Sequence, residues 1–298
     1  MVGSAIVREL ERQGYQNILM PTREELDLLW QDDVDQYFID NKPEYVFHCA
    51  AKVGGVLENS QNKSAFLNDN IMISFNVIRA AHNFGVKKLV NMGSACIYPK
   101  ITDRPIKEED LLSGYLESTN EGYALAKIAA LKLCDYYNKE HNTNFLSIMP
   151  CNLYGINDKS THVIPDLIRR FHSAKINNEP FVECYGNGTP LREFLHVDDC
   201  AKACIQLMEK IDAQLMMDCG SSWFNVGSGH DITIQHLVDI IRFVVGYEGS
   251  ITWNGAKPNG VQRRLLDSSR IKYHTGWLNT KDFIEGIKEY YQSNNRLG

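Results

Sequence analysis

The sequence predicts an α/β protein: a doubly wound parallel sheet carrying a smaller, mixed α/β lobe. Three observations predict it. Short apolar runs alternate with helix-length stretches from end to end. The runs are apolar at successive positions rather than at every second one, as expected of strands covered on both faces. A length of 298 residues suffices for one large α/β domain, or for a nucleotide-binding domain with a cap.

The elements follow in order. Residues 17–21 (NILMP), 45–51 (YVFHCAA), 88–94 (KLVNMGS) and 145–152 (FLSIMPCN) read as buried parallel strands. Helical stretches cover about 4–13, 66–84 and 120–139. Strand, helix, strand in repetition implies right-handed crossovers and a parallel sheet. The second half is more mixed. Residues 163–174 and 198–210 look helical, 182–186 and 192–196 strand-like, and 223–226, 232–245 and 251–254 read as strand, helix, strand. A last amphipathic helix spans about 280–291. The expected division is 1–155 for dinucleotide binding and 156–298 mainly for substrate, with some segments of the second half returning to the first. No low-complexity linker or internal repeat separates the halves.

Composition narrows the function. A hydrophobic share of 44% and a charged share of 23% argue against disorder. The net charge is −6 and no basic block occurs, which argues against nucleic acid. An anionic substrate would have to be held by a few local arginines and lysines. No apolar run approaches the roughly 20 residues of a membrane helix, and no leader pattern opens the chain. The eight cysteines form no CxxC and no HExxH occurs, so no metal site is expected and a reducing cytoplasm fits best. Cys200 and Cys204, one helical turn apart, read as buried small hydrophobes.

Two groups could carry chemistry. Tyr123 and Lys127 are four apart in a helical stretch, so they share a face. A nearby ammonium would lower the phenol's pKa and let it exchange a proton with a carbonyl oxygen. The plain alternative is a solvated helix face. Ser94 and Cys96 follow a strand, where open α/β sheets bind ligands. A hydroxyl there can bind a carbonyl and a thiol can move protons; a turn serine and a packed cysteine are the alternative.

The order of these pieces adds to their weight. A strand ending in serine, then a helix with Tyr and Lys, then another apolar strand resembles the extended short-chain dehydrogenases, which are Rossmann-like. The segments AAKVGG (50–55), GSACIYPK (93–100), TNEGYALAK (119–127), NLYG (152–155), HVIP (162–165) and REFLHVDD (192–199) resemble those of GDP-L-fucose synthases, in that family's order. The resemblance implies NADP(H)-dependent epimerisation and reduction of the GDP-sugar GDP-4-keto-6-deoxy-D-mannose. By that resemblance Cys96 and His162 are the acid/base pair, Ser94 and Tyr123 hold the ketone oxygen, and Lys127 tunes the phenol. The cofactor would meet Gly3, Arg23, Asp27, Leu28, Met92, Gly93, Lys127, Pro150, Leu153 and His162. Arg23 suits the 2′-phosphate of NADP, although Glu24 and Glu25 follow it. Arg170, Tyr185, Arg192 and Asn259 would meet the substrate, the arginines suiting a pyrophosphate. A homodimer joined through first-lobe helices is also implied.

Three departures from the family pattern count. The sequence opens at a helix, with Gly3 but without a preceding strand and two further glycines, which predicts an incomplete phosphate cradle and a start inside a longer parent. The loop 155–162 is short, which bears on His162. Asn259 stands where an aspartate is usual. Two alternatives follow: a related nucleotide-sugar 4-reductase or epimerase, and a non-catalytic subunit of the same fold.

Overall fold

The computed structural model describes residues 1–101, 103–158, 160–256 and 261–295. Helix α1 (Val2–Arg12) opens the chain, followed by α2 (Gln31–Asn41), strand β1 (Tyr45–His48), α3 (Val56–Gln61), α4 (Lys63–Asn83), β2 (Lys88–Met92), α5 (Glu121–His141) and β3 (Phe145–Pro150). Strand β4 (Asn152–Tyr154), α6 (Val163–Ile176), β5 (Phe181–Tyr185), β6 (Leu191–His196), α7 (Val197–Lys210), α8 (Ala213–Asp218) and β7 (Trp223–Val226) come next. The last elements are β8 (Asp231–Thr233), α9 (Ile234–Val245), β9 (Ser250–Asn254), β10 (Arg263–Arg264), α10 (Ser269–Thr275) and α11 (Phe283–Asn295).

The main sheet has the order β1-β2-β3-β7, every pair parallel. Its strands are apolar at successive positions because both faces are covered. Leu89 and Phe145 pack with Val34, Phe38, Val77 and Ala130 of α2, α4 and α5. Val90, Leu146 and Ile148 pack with Ile6 of α1 and Cys200, Ala203 and Cys204 of α7. Both cysteines of α7 are fully buried. A second core joins α6, β5, α9 and α11 through Phe171, Val182, Leu237, Ile241 and Ile287. Around it, β6 pairs with β10, β4 and β8, and β5 pairs with β9.

Lys88 ties the sheet to α7. Its Nζ donates to the carbonyls of Leu207 (2.8 Å) and Met208 (2.5 Å), and to that of Ile211. Leu207 O also accepts the N–H of Ile211 at 3.3 Å; at this C-terminal end the helix runs out of its own donors, and a buried ammonium caps it.

One expected strand is absent. Residues 17–21 carry no ladder, and Leu19 and Met20 lie exposed. A strand exists only where its backbone groups find a neighbour, and among the described residues none lies alongside. The run 145–152 is two strands: β3 belongs to the main sheet, and β4 pairs with β6. Helix α2 was not expected, since only Val34 and Phe38 of its residues are buried.

Candidate active site

Strand β2 ends at Met92, and Gly93 and Ser94 stand beyond the carboxyl end of the sheet. Gly93 donates its N–H to Ile148 O at 2.8 Å. A Cβ here would crowd the Met149 side chain and lie 2.9 Å from that same carbonyl oxygen, so glycine is what lets the turn close. Ser94 then caps a 3-10 turn, Ala95–Ile97, its Oγ accepting the N–H of Cys96 at 3.3 Å. This bond orients the Ser94 hydroxyl and ties it to the backbone that carries Cys96. Cys96 is buried, and burial raises its thiol against the pull of Ser94, Arg264 and Lys127. The thiol is held neutral, as a proton donor needs.

Helix α5 brings Tyr123 and Lys127 to the same point. Lys127 is 1% exposed, its Nζ donates to Met92 O at 2.7 Å, and it lies 5.7 Å from the centre of the Tyr123 ring. Burial lowers the ammonium to about 8, with Cys96 and Cys49 opposing. The phenol runs against expectation: burial and then the Cys96 thiol raise it. The reason is geometric, since Lys127 directs a donor at a backbone carbonyl while the ring sits in apolar surroundings. His48, at the end of β1, is kept neutral: burial and then Lys127 push it down to about 3.

A pair of guanidiniums closes the far side. In the β6–β10 ladder Arg192 and Arg264 are directly opposite. Arg264 Nη1 donates to Ala95 O at 3.4 Å, while its buried Nη2 has no hydrogen-bond partner among the described residues. Burial lowers Arg264, and burial together with Arg264 lowers Arg192 to about 10. Glu117 is the nearby carboxylate, and Lys100 holds it at 3.0 Å. Burial raises Glu117, but Lys100, the Thr119 backbone and Arg264 together outweigh it and the net shift is downward. Arg264 was not foreseen, because its place depends on β10, which no periodicity announces.

His162 comes from another element. It is exposed at the start of α6, and its N–H donates to Ser160 Oγ at 3.3 Å. Among the described residues no hydrogen bond joins its ring to Cys96. Thr161 beside it is packed on Gly55: a Cβ there would lie 2.8 Å from Thr161 Oγ1. Arg170 lies 4.8 Å from the centre of the exposed Tyr185 ring and 3.4 Å from Asp166. Asn259 lies outside the described residues.

The residues expected at the cofactor are spread over α1, the 23–28 segment and the strands β3 and β4. Gly3 is in the first turn of α1, where a Cβ would touch that of Cys49 at 3.8 Å. Arg23 is exposed and 3.8 Å from Asp27, whose carboxylate accepts the N–H of Leu29 at 3.1 Å. Leu28 O accepts from Asn76 at 2.9 Å. Pro150 ends β3 and Leu153 is in β4.

A parallel sheet with a serine beyond one strand and a tyrosine–lysine couple beside it defines an extended short-chain dehydrogenase, a class that uses a nicotinamide cofactor. The chain belongs to the NAD dependent epimerase/dehydratase family, whose model matches residues 1–227. It is 46% identical over 301 residues to "Putative GDP-L-fucose synthase 2" of Arabidopsis thaliana, covering 99% of this chain and 89% of that one. It is 44% identical to "GDP-L-fucose synthase" of Escherichia coli, covering 98% and 92%. Among solved structures, the GDP-mannoheptose C4 reductase MlghC of Campylobacter jejuni, with NADP bound, is 35% identical with a TM-score of 0.90, covering 99% of this chain and 95% of that one. No helix among the described residues is long and apolar enough to cross a membrane.

Proposed function

We propose that the chain is an NADPH-dependent epimerase-reductase that converts GDP-4-keto-6-deoxy-D-mannose into GDP-L-fucose. The observation that carries this reading is the meeting of Ser94, Cys96, Tyr123 and Lys127 at one strand end, beside Arg264, whose buried Nη2 has no partner among the described residues. Its similarity to GDP-L-fucose synthases supports the substrate.

The residues present fit the cofactor. The first turn of α1 offers backbone N–H groups to a pyrophosphate, and Gly3 leaves the approach open. Exposed Arg23 suits a 2′-phosphate and favours NADPH. When bound, a reduced nicotinamide supplies hydride to the ketone carbon. The chain's own groups do the rest. Ser94 and Tyr123 hold the ketone oxygen, and the phenol gives it a proton as the alcohol forms. Lys127 keeps a positive charge beside that oxygen and so stabilises the developing alkoxide.

Epimerisation needs a base and an acid on opposite faces of the sugar. The ketone acidifies the hydrogens of the flanking carbons; removing one gives an enolate, and reprotonation from the other face inverts the centre. Cys96 supplies one of these groups and His162 the other, with the 160–162 loop moving in over the sugar. Arg192 and Arg264 grip the diphosphate, and Arg170 with Tyr185 forms a flat platform for the base. The assembly we favour is a cytoplasmic homodimer joined through α4 and α5, which expose Met72, Leu125 and Tyr136.

The test is to mix the protein with GDP-4-keto-6-deoxy-D-mannose, follow NADPH absorbance and identify the sugar released. Oxidation with GDP-L-fucose as product is expected. No oxidation rejects the reading. A product reduced at C4 with its neighbouring centres unchanged would make the chain a C4 reductase instead.

A further inference from the structure

Arg192 and Arg264 face one another across a ladder only two residue pairs long, Arg263↔Leu191 and Arg264↔Arg192. Two half-buried like charges repel, and so short a ladder is a weak restraint. Something else must hold β10 in register. Successive side chains of a strand point to opposite faces, so Glu193, next to Arg192, points away from the anion site. It is fully buried. One carboxylate oxygen accepts the N–H of Gly229 at 2.7 Å, the other that of Leu266 at 2.9 Å. Leu266 is two residues past Arg264. Gly227 is required beside it, since a Cβ there would run into the carboxylate. The neighbouring charge is Asp231, already bound to Arg263 at 2.5 Å, and no ion pair holds Glu193 among the described residues. Burial pushes it up to about 7. A buried carboxylate without a counter-ion is costly, and the return here is geometric. The same segment is pinned from its other side by Ile106, whose N–H donates to Leu265 O and whose carbonyl accepts from Asp267, each at 2.8 Å.

We propose that Glu193 is a positioning residue: by clamping Gly229 and Leu266 it sets the spacing of Arg192 and Arg264, and so the affinity for the sugar's diphosphate. This rests on the reading that those arginines grip the diphosphate. Glu193 itself touches no substrate.

The test uses calorimetry with GDP-mannose, whose diphosphate does not titrate near neutrality, and with NADPH. In E193Q one acceptor is replaced by an amide N–H that opposes a backbone N–H. GDP-mannose affinity should fall about 10-fold while NADPH affinity stays the same. In turnover KM should rise and kcat hold within about threefold. R264M should lose a similar factor, and E193Q combined with R264M should bind no more weakly than R264M alone, because the two act through one contact. If E193Q does not fold, E193D takes its place in the same cycle, with the same results expected. Wild-type affinity in the glutamate variant, or losses that multiply in the double variant, would overturn the proposal. A wild-type protein that binds NADPH but not GDP-mannose would instead bring down the functional reading, and this inference with it.

Discussion

Lys127 reaches across from α5 to the carbonyl oxygen of Met92, the last residue of β2, at 2.7 Å. The bond locks the helix carrying Tyr123 to the strand that leads to Ser94 and Cys96. Burial lowers this ammonium to about 8. Its charged form exists below that pH and is lost above it. Ketone reduction should therefore decline as pH rises through about 8, and Lys127→Met should cut the rate by about 10²–10⁴-fold and remove that limb. Single-turnover NADPH oxidation across pH 6 to 10 checks this; a flat wild-type profile would contradict it.

Cys96 is predicted to matter for one half of the reaction. Cys96→Ala should slow deuterium uptake from heavy water at the carbons flanking the ketone by about 10²-fold or more, while reduction of the unepimerised ketone survives within about tenfold. Mass spectrometry of the sugar reads the first and NADPH absorbance the second. Equal loss of both would remove the thiol from the acid/base role.

The Arg170–Tyr185 contact at 4.8 Å predicts a measurable share of base recognition. Tyr185→Ala should weaken GDP-mannose binding about 5- to 10-fold, with Tyr185→Trp near wild type, because stacking needs the ring and not the hydroxyl. Equilibrium binding is the readout, and NADPH affinity is the control. An alanine variant with unchanged affinity would place the base elsewhere.

Gly122 makes a stability prediction. Alanine is the better helix former by about 1 kcal/mol. Here, however, a Cβ would collide with the backbone carbonyl of Lys63 at the start of α4, which cannot swing aside as a side chain tip can. Overpacking of this kind costs about 1–3 kcal/mol, so the collision should win. Gly122→Ala should lower the melting temperature; a rise would mean that α4 and α5 separate more readily than their packing suggests.

The strands that helices cover on both faces were legible as apolar runs, and the couple at Tyr123 and Lys127 was legible from helical spacing. The same rule misled at residues 17–21, because apolarity describes a strand's faces and says nothing of whether its backbone has a partner. Helix α2 was missed because two buried side chains on one face make too faint a stripe. Arg264 and Glu193 were invisible for another reason. Their meaning comes from a two-residue ladder between segments far apart in sequence, and no local pattern encodes such a pairing. The sign of the tyrosine's shift was also out of reach, since spacing can set Lys127 beside the ring but cannot say where its protons point.

Pro150 is the last residue of the large sheet to pair with β7, and Asn152 is already paired with β6. Only Cys151 lies between, and its N–H is itself spent on Val226 O at 3.0 Å. The polypeptide therefore changes layers there with no spare length. If the jaws of the enzyme rock shut on a sugar, this point has to behave as a pivot with fixed travel, and the motion must be taken up in the torsions of one residue rather than in a slack tether.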